Sequence, residues 1–237
     1  MDATIPRGGD QIPGPLSGLA PHDRDIRRAS QLHAVVDSIP RSPWTATRIG
    51  NIAIEKGLFL KTHGISVQDS ALSLAISPEM GEFLFNLTLL KRPKAILELG
   101  SSRGVSTLYF AEALRVLGKG KVVATEIDES KCDTLWQNVQ SMGLASYVDL
   151  FRGDVFSTVA TMNESFDMVF IDIWASGYLD VFQKVEKLLK PGAIILADNM
   201  YTSSDEVLPF KNFLNNNPGI SNMTLDFESG VELGIVL

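Results

Sequence analysis

Cysteine, histidine and basic charge are scarce in this chain of 237 residues, which has one cysteine, Cys132, and three histidines. A single cysteine excludes a framework of internal disulfides, so we expect a reducing, cytoplasmic compartment. The 21 Lys and Arg residues stand against 28 Asp and Glu residues, which gives a net charge of −7. Because nucleic-acid binding requires a basic face, we expect a small-molecule ligand and no nucleic-acid partner.

Long apolar runs are missing as well, so we expect neither a signal peptide nor a membrane span. The 45% hydrophobic content is nevertheless sufficient for a substantial core. Proline and glycine are concentrated in residues 1–22, which we interpret as a flexible N-terminal arm. We interpret residues 23–237 as one domain, with a helical cap over 23–92 and a sheet over 93–237.

From residue 93 onward, short apolar runs alternate with stretches of helical periodicity, which predicts an α/β fold with a largely parallel sheet. The strands are predicted at 95–99, 121–126, 147–151, 167–172 and 193–198, and the helices at 103–117, 129–142, 155–161, 177–189 and 204–216. Two last apolar runs, 223–227 and 231–237, predict a hairpin. Before this series, Ser77 and Pro78 indicate the start of a further helix.

Acidic side chains stand at or just after the ends of the predicted parallel strands, namely Glu98, Glu126, Asp154, Asp172 and Asp198. Ligands of parallel sheets bind beyond these carboxyl ends, so we expect one crevice lined by carboxylates. Such a crevice favours ligands that carry cationic or hydroxyl groups. For any single residue of this set, capping of the following helix is the alternative interpretation.

The first predicted strand ends in a turn with the spacing Gly100-x-x-x-Gly104, which differs from the Gly-x-Gly-x-x-Gly of dinucleotide-binding folds. It resembles motif I of the S-adenosylmethionine-dependent methyltransferases. The resemblance implies that the turn, including Ser102, approaches the cofactor and that Glu98 faces its cationic end. About 20 residues further on, Glu126 is placed to accept the ribose hydroxyls.

Asp154 could accept a hydrogen bond from the adenine amino group of the same ligand. NAD enzymes use carboxylates in both the ribose and the adenine role, so an NAD-dependent oxidoreductase remains an alternative at this point.

Two longer segments, 166–174 and 188–199, resemble the metal-dependent catechol and caffeoyl-CoA O-methyltransferase family, and the likeness covers roughly residues 70–237. The resemblance implies a class I, Rossmann-like methyltransferase fold. This fold has a seven-stranded, mostly parallel sheet, an antiparallel C-terminal strand and helices on both faces. It also implies a divalent cation, most often Mg²⁺, held by Asp172, Asp198 and Asn199. Hard oxygen ligands of this kind suit an octahedral cation.

The same resemblance assigns further roles along the chain. It places Asp172 and Trp174 against the cofactor, with an ordinary core aromatic as the alternative for Trp174. Ser106 matches a cofactor-binding serine, and Ile76 and Ser77 match a segment over the methionine moiety. Glu232 matches a glutamate that contacts a substrate hydroxyl, with a plain surface charge of the hairpin as the alternative. A homodimer is expected by family analogy only.

One position departs from the family pattern, because Ala175 stands where the family has a lysine that acts as general base. We therefore consider three explanations: the metal acidifies the hydroxyl enough for water to suffice, the nucleophile is already anionic, as a carboxylate is, or the reaction is changed or lost. Of the three histidines, His63 is the least implausible substitute for this lysine as the general base. We expect methyl transfer to an oxygen of a small molecule, with a cofactor-binding protein of altered or lost activity as the alternative.

Overall fold

The computed structural model describes residues 75–237; the predicted arm, all three histidines and most of the predicted cap lie outside this range. Its elements in chain order are α1 (Pro78–Lys91), β1 (Ala95–Leu99), α2 (Val105–Leu117), β2 (Lys121–Glu126), α3 (Glu129–Ser141), β3 (Val148–Arg152), α4 (Val155–Ala160), β4 (Phe166–Ile171), α5 (Tyr178–Val185), β5 (Leu189–Ala197), α6 (Ser204–Asn216), β6 (Ile220–Leu225) and β7 (Val231–Val236). None of the helices in this range is both long and apolar enough to cross a membrane.

The seven strands form one sheet in the order β3-β2-β1-β4-β5-β7-β6. Strands β1 to β5 are parallel, and β7 runs antiparallel between β5 and β6. The predicted mostly parallel sheet with an antiparallel C-terminal strand is therefore confirmed. This order places the carboxyl ends of β1, β4 and β5 next to one another, and the β6–β7 turn lies beyond β5.

Helices cover both faces of the sheet, and each face has its own apolar cluster. One cluster is built mainly from α1, α2 and α3, and Phe110 of α2 packs edge-on against Phe170 of β4 at 5.8 Å between ring centroids. The other is built from α4, α5 and α6, where Phe182 and Phe210 pack at 5.4 Å. Because both faces are covered, the central strands are largely apolar, as their sequences predicted, with Glu98 near the end of β1 and Asp167 near the beginning of β4.

The start of α1 follows from its first residues. Ser77 is in an extended conformation, and its hydroxyl oxygen accepts a hydrogen bond from the Met80 N–H at 3.0 Å. Pro78 occupies the first helical position, where a missing N–H costs nothing. The predicted N-terminus is confirmed, and it fixes Ser77 at the entrance to the crevice described below.

The fifth strand begins at Leu189, earlier than predicted, and the preceding helix ends at Val185. Pro191 and Gly192 stand between the predicted helix and the predicted strand, but both lie within the strand, at its exposed beginning. A register shift against β4 between Phe166 and Met168 accommodates them. The β6 strand is also shifted, because its polar residues 221 and 222 concealed its start at Ile220.

Candidate functional site

The turn after β1 is held tightly against the end of β4. Gly100 has φ +86°, and a Cβ atom there would lie 2.2 Å from the backbone carbonyl oxygen of Asp172. Gly104 also has φ +86°, and a Cβ atom there would lie 2.7 Å from Cγ of Leu135. Both positions therefore require glycine, for conformation and for space. Cofactor binding at this turn stays a prediction.

Glu98, at the end of β1, is completely buried. Its Oε2 accepts hydrogen bonds from the hydroxyls of Ser101 at 2.8 Å and Thr107 at 2.5 Å, while Oε1 accepts none from the described residues. Burial raises the pKa of Glu98, against the effect of the hydroxyls of Ser106, Thr107 and Ser101. A buried carboxylate oxygen without a donor fits a ligand that brings a cationic N–H group. The predicted role toward the cofactor stays a prediction, and Ser106 lies beside it.

Glu126, at the end of β2, accepts three backbone hydrogen bonds. The N–H of Ser102 donates to its Oε2 at 2.8 Å, and those of Ile127 and Asp128 donate to its Oε1 at 2.9 Å. These bonds fix the carboxylate at the rim of the glycine turn, and Ser102 has a left-handed φ of 47° to reach it. The structure thus joins two residues predicted to bind the cofactor, although ribose binding itself stays a prediction.

Asp154 acts as the N-cap of α4. Its Oδ2 accepts hydrogen bonds from the backbone N–H of Ser157 at 2.9 Å and from the Ser157 hydroxyl at 3.0 Å. This is the structural alternative that the sequence left open for each acidic strand end. The predicted contact with adenine stays a prediction beside this capping role.

A cluster of two carboxylates and one amide lies where β4 and β5 end. Asp172 follows β4, and Asp198 and Asn199 follow β5. The Asn199 side-chain NH₂ donates to Asp172 Oδ1 at 3.2 Å, and its backbone N–H donates to Asp198 Oδ1 at 2.7 Å. The hydroxyl of Ser229 donates to the same Asp198 oxygen at 2.6 Å. The structure therefore brings the three predicted metal ligands together.

Carboxyl groups are concentrated in this cluster. Burial, with repulsion from Asp198 and Glu98, raises the pKa of Asp172 to about 8. Burial, with repulsion from Asp172 and Asp198, also raises the pKa of Tyr178. The Tyr178 hydroxyl donates to the Asp198 backbone carbonyl at 3.1 Å. A cation placed between Asp172 and Asp198 would relieve this repulsion.

A pocket of about 170 Å³ opens over the cluster. The described residues that line it come from the start of α1, the ends of β4 and β5, and the β6–β7 turn. They are Ala75, Ile76, Ser77, Met80, Asp172, Asp198, Asn199, Glu228 and Ser229. Five residues of this set were predicted as site residues, so the structure brings the segment at 76–77 and the predicted metal ligands to one pocket.

Glu232, which the sequence placed at the substrate, does not line this pocket. It lies in β7, is completely buried, and accepts hydrogen bonds from Asn222 Nδ2 and Thr224 Oγ1, both at 2.6 Å. The alternative of a plain surface charge is wrong, because the carboxylate is enclosed by side chains of β6. Its predicted contact with substrate receives no support from this position.

Trp174 and Ala175 differ sharply in exposure. The Trp174 side chain is 86% exposed, so the alternative of a core aromatic is wrong, and its predicted contact with the cofactor stays a prediction. Ala175 is 7% exposed and packs within the apolar cluster of α4, α5 and α6. No proton acceptor exists at position 175.

Sequence reasoning missed Glu228 and Ser229. They lie in the β6–β7 turn, and the topology explains their arrival at the site. Because β7 runs antiparallel beside β5, its beginning lies at the carboxyl end of β5. The predicted antiparallel hairpin was the signal that could have located them.

The residues at the end of β4 and β5 fit a hard divalent cation. Two carboxylates and an amide are the oxygen donors that Mg²⁺ accepts, with water and substrate oxygens for the remaining positions. Within residues 75–237 no cluster of three or more His, Cys, Asp or Glu side chains is arranged to hold a metal. The third protein ligand would therefore be the Asn199 amide, whose oxygen faces the site after a rotation that exchanges it with NH₂.

Comparisons with known proteins point to one family. The sequence profile of a family described as O-methyltransferase matches residues 53–209. A catechol O-methyltransferase of Niastella koreensis is 34% identical over 132 residues, which cover 54% of this chain and 59% of that protein. A caffeoyl-CoA O-methyltransferase of Eucalyptus globulus is 28% identical over 141 residues, which cover 57% and 56%. The chain thus spans less than two thirds of the length of these relatives.

Solved structures share the fold. A Podospora anserina methyltransferase with SAH bound superposes with a TM-score of 0.71 at 18% identity, covering 97% of this chain and 99% of that one. An O-methyltransferase of Bacillus cereus in complex with SAH gives 0.68 at 22% identity, covering 88% and 97%. At this level of identity the likeness supports the fold alone.

Proposed function

The chain belongs to the O-methyltransferase family, and from that premise we propose that it transfers the methyl group of S-adenosylmethionine to an oxygen of a small molecule, with the help of a divalent cation such as Mg²⁺. The acceptor oxygen is a phenol or catechol hydroxyl, or a carboxylate. Family membership replaces the alternative of an NAD-dependent oxidoreductase.

The observation that carries the proposal is the shared pocket of Asp172, Asp198 and Asn199 with the segment that contains Ile76 and Ser77. A donor at the glycine turn and an acceptor at the carboxylates would lie in adjoining spaces. Holding two reactants in line removes several kcal/mol, roughly, from a barrier that would otherwise include their translational entropy. Positioning is therefore the main task of this pocket.

The proposed reaction is a direct displacement. The acceptor oxygen attacks the methyl carbon, a C–O bond forms as the C–S bond breaks, and the electron pair passes to sulfur, which leaves as a neutral thioether. The proton of a hydroxyl acceptor is released to solvent. When bound, a divalent cation supplies the positive charge that stabilises the acceptor oxygen as an anion.

Residues of the chain prepare each reactant. Ser229 and the Asn199 backbone N–H hold the Asp198 carboxylate in one orientation. The Glu98 oxygen that has no hydrogen-bond donor within residues 75–237 would be available to a cationic donor group, and Gly100 would allow close approach of the nucleoside. Ala175 takes no proton, which favours an acceptor oxygen that ionises readily.

The test uses the full chain with labelled S-adenosylmethionine, Mg²⁺ and a panel of catechols and aromatic carboxylates. We expect methylated product that requires Mg²⁺ and falls by orders of magnitude in Asp198→Asn. Asp180→Asn is the matched control, since Asp180 is exposed on α5 and does not line the pocket.

Two results would contradict parts of the proposal. Formation of methylated product in the presence of a metal chelator would contradict the proposed role of the divalent cation. A melting shift with S-adenosylhomocysteine but no product under any metal would favour the second candidate, a cofactor-binding protein without this activity. The observation behind that candidate is Ala175, which replaces the lysine of the family pattern.

A further inference from the structure

The β6–β7 turn is fastened to the loop that follows β5. The Met200 N–H donates to the Gly230 carbonyl at 3.0 Å, and the Tyr201 N–H donates to the Ser229 carbonyl at 2.7 Å. Within the turn, the Gly230 N–H donates to the Phe227 carbonyl at 2.9 Å. These bonds hold residues 228 and 229 beside the ends of β4 and β5, so the position of their side chains is built into the fold.

Glu228 is tied to the opposite end of the described chain. The Ser77 hydroxyl donates to Glu228 Oε1 at 2.5 Å, across 151 positions of sequence. Ser77 is itself fixed as the N-cap of α1, and both residues line the pocket. The carboxylate therefore has a defined place at the pocket, although the residue as a whole is exposed at its mouth.

The charges along this pocket have one sign. Its described lining contains three carboxylates, Asp172, Asp198 and Glu228, and no Lys, Arg or His. The proposed cation would compensate Asp172 and Asp198. Glu228 would then have no compensating cation among the described residues of the lining.

We propose that Glu228 determines the charge of the methyl acceptor, selecting acceptors with a cationic substituent, such as an ammonium group, over acceptors with an anionic one. This inference rests on the proposed function and narrows its substrate class. A carboxylate at the mouth attracts a cationic arm and repels an anionic arm of the same length. Because the Glu228 carboxylate is partly exposed, we expect kcat/KM for the cationic acceptor to exceed that for the anionic one by about five-fold. This ratio corresponds to the free energy of a surface ion pair.

The experiment compares three catechols with Mg²⁺: 2-(3,4-dihydroxyphenyl)ethylamine, 3,4-dihydroxyphenylacetate and neutral 4-methylcatechol. In the native chain we expect kcat/KM to fall in the order amine, neutral, acid, and added salt to reduce the spread. Glu228→Gln keeps an acceptor for the Ser77 hydroxyl and loses only the charge. We expect it to bring the kcat/KM values of the amine, the neutral catechol and the acid together, chiefly through KM.

Asp226→Asn is the matched control, because Asp226 is an exposed carboxylate of the same turn that does not line the pocket. It should leave the preference intact. Equal kcat/KM for the amine and the acid, or a Glu228→Gln effect that is the same for all three acceptors, would overturn this inference and leave the proposed function standing. Absence of product from all three catechols in the native chain would overturn the inference together with the catechol acceptor of the proposed function.

Discussion

Strand β4 has one aspartate near its beginning and another just after its end, and the pKa values of the two shift in opposite directions. At its beginning, Asp167 accepts hydrogen bonds from the backbone N–H groups of Lys94 and Ala95, at 2.7 and 3.0 Å, and from the Lys190 ammonium at 3.1 Å. Burial acts to raise the pKa of Asp167, but these donors outweigh it and lower the pKa. At the other end, burial and neighbouring acids raise the pKa of Asp172 to about 8.

The difference extends to the sheet as a whole. At the amino edge, acids are paired with lysines, as in Lys190–Asp167 and Lys121–Asp149. At the carboxyl edge, the hydrogen-bond donors to Glu98, Asp172 and Asp198 within residues 75–237 are hydroxyl, amide or backbone N–H groups without charge. The acids of the amino edge have charged partners, whereas the carboxyl edge holds carboxyl groups whose ionisation a cationic ligand would favour.

Alanine substitution of one glycine at each edge should give the largest difference in the free energy of unfolding. In Gly100→Ala, at the carboxyl edge, the new Cβ would overlap the Asp172 carbonyl oxygen at a φ of +86°. We expect a loss of about 3 kcal/mol or more in the free energy of unfolding, together with loss of the melting shift by S-adenosylhomocysteine. Denaturant titration and thermal melts measure both.

The matched control is Gly118→Ala at the C-cap of α2, which leads to the amino edge. Gly118 has φ +71°, and a Cβ atom there would meet nothing within 4 Å. Only the left-handed conformation opposes this change, so we expect a loss of about 1 kcal/mol. Equal losses for the two variants would mean that the turn after β1 is not held against β4.

Asp172→Asn should stabilise the metal-free protein. Because the pKa of Asp172 is higher in the folded state than in the unfolded state, the folded state loses stability as the pH rises from about 4 toward 8. Removing the charge should add about 2 kcal/mol at pH 8 and nothing near pH 4, which raises the melting temperature by several degrees.

The same variant should lose the stabilisation that we expect Mg²⁺ to give the native chain. Thermal melts at pH 4 and pH 8, with and without Mg²⁺, separate the two effects. A native chain more stable than Asp172→Asn at pH 8 without metal would show that a cation within the protein already pairs with this carboxylate.

Much of this site was accessible from sequence, because parallel strands place their carboxyl ends together. That rule predicted the meeting of Asp172 with Asp198, the family resemblance added Asn199, and the spacing of Gly100 and Gly104 predicted the turn between β1 and α2. Local apolar runs were sufficient to locate the strands. They describe strands that are covered on both faces and that end in polar residues.

Contacts distant in sequence were not accessible in the same way. The early start of β5 depends on a register shift against β4, and the burial of Glu232 depends on side chains of β6. Glu228 reaches the pocket because β7 inserts between β5 and β6, and its partner Ser77 lies at the other end of the described chain. The predicted antiparallel hairpin could have brought this turn to the carboxyl end of β5, but no local pattern identifies Ser77 as the partner of Glu228, since a charged residue in a hairpin turn ordinarily faces solvent.

Asp167→Asn should have the smallest effect and the opposite sign to Asp172→Asn. Asparagine can still accept from the backbone N–H groups of Lys94 and Ala95, so the change removes mainly the attraction to Lys190. Because the pKa of Asp167 is lowered in the folded state, its contribution is present above pH 4 and is lost as the pH falls through the folded pKa. We expect a loss of about 1 kcal/mol at pH 7 that disappears near pH 2.

Asp149→Asn is the control for this effect, because the Lys121–Asp149 pair is half exposed, at 45% and 50% of the two side chains. Solvent screens such a pair, so we expect a change below about 0.5 kcal/mol at either pH. Denaturant titrations at pH 2 and pH 7 check both variants. If Asp167→Asn were as stabilising at pH 7 as Asp172→Asn is at pH 8, the carboxyl groups at the two ends of β4 would not differ in their effect on stability. The amino edge would then also hold a carboxylate that destabilises the ligand-free protein.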